Sequence, residues 1–226
     1  MKILRRLSFL AVSFWGCIGL FSSMSPARAG AISGTNSITG LFDASVGNRQ
    51  ITFTGFEPGF GNGVIADVNI SINYAKADGE AFNPPFPTFD RPFFNEIHFA
   101  IIAPNGMTVE LIAANSFNEG AGGTNFDATQ TFDQQAANVV NVNLDLPAAG
   151  SFRPTGPGSL NDFNGFSALG TWTLFIEDTV IDDALRFRSF TLNIITDVFS
   201  VPEPTSLLLL TLGIVGLTLR RRRFSN

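Results

Sequence analysis

The sequence predicts an all-β fold, an antiparallel β-sandwich or jelly roll, flanked by an N-terminal signal peptide and a C-terminal hydrophobic sorting helix. Three observations lead there. Ala66, Val68, Ile70, Ile72 and Tyr74 alternate with Asp67, Asn69, Ser71 and Asn73, the period of two expected of a strand with one buried face. Two more apolar alternations, Ile97-Phe99-Ile101 and Met107-Val109-Leu111, bracket Ala103-Pro104-Asn105-Gly106, whose Asn-Gly pair is a hairpin turn signal. No window of a dozen residues carries convincing helical spacing, and Gly- and Asn-rich loops separate short strands without the strand–helix rhythm of a parallel sheet.

Taken in order, the chain opens on a leader. Lys2, Arg5 and Arg6 form a positive start, Leu7 to Phe21 is apolar, and Ala27-Arg28-Ala29 supplies the small-x-small pattern that a signal peptidase accepts. Cleavage is expected after Ala29, and the apolar run is shorter than the roughly 20 residues of a membrane span. Residues 30–200 then form one domain, with no internal repeat and no second domain. Beyond the strands above, Trp172, Leu174 and Ile176 share one strand face, which places Trp172 in the core. Phe190, Leu192 and Ile194 share another, and a slip of phase between Phe187 and Phe190 predicts a bulge. Two stretches read as long loops. One is 77–95, with Pro84, Pro85, Pro87 and Pro92 among Phe82, Phe86, Phe89, Phe93 and Phe94; the other is 115–137, with its Gly120-Ala121-Gly122-Gly123 run.

The C-terminal 201–226 has three parts: Val201-Pro202-Glu203-Pro204, an apolar stretch from Ser206 to Leu219, and Arg220 to Arg223. As a helix, 206–219 reaches about 21 Å, short of a hydrocarbon core of about 30 Å, so it is a marginal transmembrane helix whose arginines hold the last residues in the cytoplasm. Pro202, Glu203 and Pro204, followed by that helix and basic terminus, resemble the PEP-CTERM sorting signal of Gram-negative bacteria. The resemblance implies processing by an exosortase and export across the inner membrane with transient anchoring. The final place is then the cell surface or an exopolysaccharide-rich extracellular matrix.

Removing both ends changes the composition. The whole chain has 226 residues, a formal charge of −5, one cysteine and 24 phenylalanines. The cysteine, Cys17, lies in the leader, so no disulfide holds the domain. Residues 30–201 contain Arg49, Lys76, Arg91, Arg153, Arg186 and Arg188 against 18 acidic residues, a charge of −12. Such a surface excludes a nucleic-acid partner, which needs a basic face for phosphates. It also makes cations natural ligands.

The domain resembles a second family, the P domain (P/Homo B domain) that follows the catalytic domain of subtilisin-like proprotein convertases. Glu96-Ile97-His98-Phe99-Ala100-Ile101-Ile102-Ala103-Pro104-Asn105-Gly106 matches its strand–turn–strand motif, with Ala103 and Met107 replacing a serine and a threonine. Gly123 to Thr129, Thr131 to Ala136, Phe152-Arg153-Pro154, Leu160 to Gly165 and Gly170 to Leu174 follow in family order, so the match spans roughly 67–194. It departs at Asp182-Asp183-Ala184-Leu185, where the usual glycine is missing, and at Phe190, where tryptophan is common. The resemblance implies a jelly roll and, by analogy, an accessory module of a separate protease.

No catalytic residue is assigned. A Ser-His-Asp mechanism needs a histidine within reach of the serine, and His98, the sole histidine, falls on the strand face opposite Ile97, Phe99 and Ile101. A half-exposed strand side chain is expected there. Asp178, Asp182 and Asp183 crowd one connection between strands, and Asp127 with Asp133 flank another. Clustered carboxylates suit Ca²⁺, which takes six to eight oxygen ligands, so Asp178, Asp182 and Asp183 are its candidate ligands. The expected protein is thus secreted and non-enzymatic, with a binding or structural role. The alternatives are a carbohydrate-binding module for exopolysaccharide and a protease accessory.

Overall fold

Strand-forming patches of residues 30–197 assemble into two stacked sheets. A computed structural model describes residues 30–55, 63–77, 92–117, 126–140, 147–197 and 212–214. Arg28–Ser200 form one compact unit; Met1–Ala27 and Val201–Asn226 form another, of which only Leu212, Gly213 and Ile214 are described, as helix.

The strands are β1 (Gly30–Asn36), β2 (Gly40–Phe42), β3 (Ser45–Phe53), β4 (Ile65–Lys76), β5 (Ile97–Ile102), β6 (Thr108–Ile112), β7 (Phe126–Asp133), β8 (Gly150–Phe152), β9 (Gly170–Asp178) and β10 (Leu185–Thr196). One sheet runs β1-β10-β4-β7-β8, with β2 also paired to β10; the other runs β3-β9-β5-β6. All pairings are antiparallel except β7 with β8. This is the antiparallel-rich sandwich that the alternating pattern predicts.

The expected elements appear as β4, β5, β6, β9 and β10. Ala103 donates to Met107 O at 2.8 Å to close the β5–β6 turn, and Gly106 sits at φ +85°, a region that favours glycine. The bulge in β10 is equally concrete. Phe187 pairs with Tyr74 and Ser189 with Asn73, leaving Arg188 as the extra residue between them. With Arg188 looped out of the ladder, Phe187 and Phe190, three positions apart, both face the core.

The reading of 115–137 as a loop is corrected: β7 lies inside it. Its inward positions are Phe126, Ala128, Gln130 and Phe132, and a glutamine on the apolar face hides the alternation. Tyr74 explains that glutamine, since the buried phenol donates to Gln130 Oε1 at 2.9 Å. β1 and β3 lack an apolar alternation because glycines stand on their inner faces. A Cβ at Gly34 would stand 2.6 Å from Ile51 Cγ2, so the neighbouring sheet fills the space a side chain would need.

The core is aromatic. Trp172, Tyr74, Phe94, Phe99, Phe132, Phe163, Phe187 and Phe190 are fully buried, Trp172 edge-on to Phe163 with its indole N–H donating to Ala168 O at 3.0 Å. Of the phenylalanines before β5, Phe94 is in the core and Phe93 is exposed, while Phe82, Phe86 and Phe89 lie outside the described residues.

Strand register sorts the sandwich into two ends. Gly30, Ile65 and Thr196 lie together at one; Lys76, Ile97, Asp178 and Leu185 lie at the other.

Candidate functional site

A buried ionic cluster occupies the second end. Lys76 closes β4 and continues the inward series Ile70, Ile72, Tyr74, so strand geometry alone points its side chain into the interior. It is fully buried, which an ammonium tolerates only with its protons engaged. They are engaged: Nζ donates to Glu96 Oε2 at 2.6 Å, to Asp178 Oδ2 at 2.8 Å and to the Asp183 carbonyl. These three acceptors match the three donors of lysine.

Local structure places each acceptor. Glu96 ends the 3-10 turn Phe94–Glu96 that leads into β5. Asp178 ends β9, where it stands opposite both Ser45 and Ile97. Asp183 precedes β10, and its Oδ2 accepts from the Phe93 N–H at 2.6 Å. The cluster therefore joins the two sheets and fixes the connection between β9 and β10. Burial pushes the Glu96 carboxyl up to about 7, although the Lys76 hydrogen bond and charge pull the other way. Burial also raises Asp178. With one ammonium facing two buried carboxylates, a proton is held on this cluster close to neutral pH.

The three aspartates read as calcium ligands, Asp178, Asp182 and Asp183, take different partners. Asp178 turns inward to Lys76, and Asp183 ties down Phe93. Asp182 is exposed at φ +97°, its N–H donating to Asp43 Oδ1 at 2.9 Å. Among the described residues no group of three or more His, Cys, Asp or Glu side chains is arranged to hold a metal ion. Lys76 supplies a positive charge to Asp178 and to the Asp183 carbonyl. Composition drew attention to the carboxylates, but the lysine was legible too, two positions beyond Tyr74 in the same phase. Asp127 is paired with Arg188, and Asp133 Oδ1 accepts from the Gln135 N–H at 2.7 Å.

His98 is held on the outer face of β5, as the strand phase predicts. Its Nδ1 lies 2.9 Å from Glu177 Oε2, its Nε2 3.9 Å from Glu110 Oε1, and its ring meets Phe175 edge-on at 5.2 Å.

The outer face of the other sheet carries, between the Asp127–Arg188 pair and Asp133, a row of uncharged hydroxyls. Thr35 and Thr191 hydroxyls are 2.9 Å apart, Ser71 and Thr131 likewise, and Thr191 stands opposite Ser71. One row of four hydroxyls thus crosses β1, β10, β4 and β7. Ser33 donates to Asn193 at 2.6 Å and Asn73 to Thr129 at 2.8 Å in the flanking rows.

Ala27, Ala29, Pro202, Glu203 and Pro204 lie outside the described residues, as does 206–219 apart from Leu212–Ile214. Among the described residues no helix is long and apolar enough to cross a membrane.

Comparison with solved structures finds a serine protease of Aeromonas sobria, 14% identical over 75% of this chain and 27% of that one, with a TM-score of 0.40. The complex of that protease with its chaperone matches at 12% identity, over 75% of this chain and 27% of that one, with a TM-score of 0.36. The chain therefore spans about a quarter of the length of those chains. No curated protein matches it in sequence. Residues 200–223 match the PEP-CTERM protein-sorting motif, and with it the chain carries the signal of an exosortase-sorted, secreted protein.

Proposed function

We propose that this chain is a non-enzymatic β-sandwich delivered by exosortase processing to the outer envelope or extracellular polysaccharide matrix of a Gram-negative bacterium, where it binds or builds. The observation that carries this reading is the sorting motif at 200–223, placed directly after a sandwich whose last strand ends at Thr196. His98, lodged between Glu177, Glu110 and Phe175, is read here as a packed strand residue. The P-domain resemblance supports a module of the accessory kind, and co-purification with a separate subtilisin-like protease would test that role. The test of the main reading is expression in cells with and without the sorting enzyme, following the mass and location of the chain.

The hydroxyl row Thr35–Thr191–Ser71–Thr131 favours a second reading, a carbohydrate-binding face for neutral glycan. Its strands repeat about every 4.8 Å, so the row runs some 14 Å with no charged group in it. Pull-down with purified matrix polysaccharide, compared between the wild type and Thr191→Val, tests this reading.

A further inference from the structure

The two ends of the sandwich chain leave it side by side. Gly30, first in β1, is the register partner of Thr196, last in β10, and Thr196 Oγ1 donates to Gly30 O at 3.4 Å. β10 remains paired with both β1 and β4 to that residue, and the Asp197 N–H donates to Val64 O at 2.9 Å. Only Asp197-Val198-Phe199-Ser200-Val201 then separate the last strand from Pro202. Fully extended, those residues reach about 18 Å. A domain of this size has a radius of gyration of about 16 Å. That short reach brings an enzyme that grips Pro202-Glu203-Pro204 close to this end of the sandwich.

That end is firmly built. Ile65 donates to Phe166 O, Gly165 to Ile65 O and Ala168 to Gly63 O, each at 2.8 Å. A capping box between Ser159 and Asp162 fixes the turn that leads into this segment. On this scaffold Phe166 is 47% exposed and Ile195 41%, with Asp67 opposite Ile195 and Asp197 two residues beyond it. Acidic groups there are ill suited to an anionic lipid surface, whereas an exposed aromatic on rigid backbone is suited to a protein partner.

We propose that this end, marked by Phe166 and Ile195, is a docking surface for the sorting enzyme, so that the folded sandwich and the tail are recognised together. The proposal rests on the sorting reading and adds the surface through which sorting is selective.

The test is a pulse-chase of the full chain in cells that contain the sorting enzyme. Wild type is compared with Phe166→Asp, with Ile195→Ser, and with a Gly/Ser spacer of about twelve residues after Asp197, roughly 20 Å of added reach. Protease resistance of the domain confirms folding of each variant; the Phe166 substitution leaves the backbone bond to Ile65 in place, and Ile195→Ser is the milder second probe. Docking predicts conversion slowed about fivefold or more by Phe166→Asp, in the same direction by Ile195→Ser, and by the spacer, which lowers the local concentration of the tail at a docked enzyme. Conversion at the wild-type rate in both point variants, or acceleration by the spacer, would overturn the proposal while leaving the sorting reading intact. A wild-type chain that is never converted would overturn both.

Discussion

Lys76 and Asp178, 102 residues apart in the sequence, close a fully buried ion pair at 2.8 Å between the two sheets. Around it the fold makes a choice that composition alone does not reveal. A domain with far more acidic than basic residues places one of its six cations in the interior, where it holds Glu96 as well.

Removing that cation should be costly. Lys76→Met leaves Glu96 and Asp178 facing each other without an ammonium, and breaking a buried pair in this way costs about 3–5 kcal/mol. Urea or thermal melts of the secreted domain check it. A loss below about 1 kcal/mol would mean that water reaches the cluster and that it does not hold the sheets together.

Stability should fall as pH rises. Glu96 has a folded pKa near 7 against an ordinary 4.5, so its protonated form favours the fold. That contribution is fully present below about 4.5 and is lost as pH rises through 7; Asp178, also raised by burial, acts in the same direction. The melting temperature is expected to be higher at pH 5.5 than at pH 8, two conditions that bracket the folded Glu96 pKa of about 7. Glu96→Gln, which keeps an oxygen toward Lys76, should flatten that difference. Asp127 works against the trend only in acid. The hydrogen bond from Arg188 holds its carboxyl below the usual aspartate range, so its stabilisation is present above that range and fades as pH falls through the lowered value.

Calcium should act in place of Lys76 rather than beside it. Asp178 must release the ammonium before it can ligate an ion, so millimolar Ca²⁺ is expected to leave the wild-type melting temperature unchanged. Lys76→Ala frees Glu96, Asp178 and the Asp183 carbonyl, and calcium should recover part of its lost stability. A wild-type rise with calcium that Asp183→Ala weakens would restore the aspartate cluster as a native calcium site.

The bulge can be tested by deletion. Without Arg188 the ladder with β4 runs unbroken, Phe187 beside Tyr74, Ser189 beside Asn73 and Phe190 beside Ile72, so Leu185, Phe187, Phe190, Leu192 and Ile194 all keep the core face. Deletion should leave the domain folded, at the cost of the Arg188 side chain and of the local twist that the bulge adds. Arg188→Ala keeps the register and removes only the half-exposed pair with Asp127, a loss of about 1 kcal/mol or less. Thermal melts of both variants check it, and a deletion variant that fails to fold would contradict this register.

These positions also show how far a sequence can be read. β4, β9 and the slip in β10 were legible because unbroken apolar alternation has one structural meaning. β7 was hidden by Gln130, whose presence on the inner face makes sense only beside Tyr74, 56 residues earlier. β1 was hidden by Gly34, whose missing side chain is compensated by Ile51 and Phe53 from the facing sheet. Charge density points to Asp178, Asp182 and Asp183 as a cation site. The cation that meets Asp178 is Lys76, a partner distant in sequence whose role follows from strand phase and depth of burial.

The central claim is that a folded sandwich is exported and separated from its tail, and intact mass measures it most directly. In cells that contain the sorting enzyme, the mature chain should lack residues 1–29 and the segment after Val201, while cells without the enzyme should retain that segment in the membrane fraction. A chain that still carries residues 202–226 in the presence of the enzyme would contradict the account.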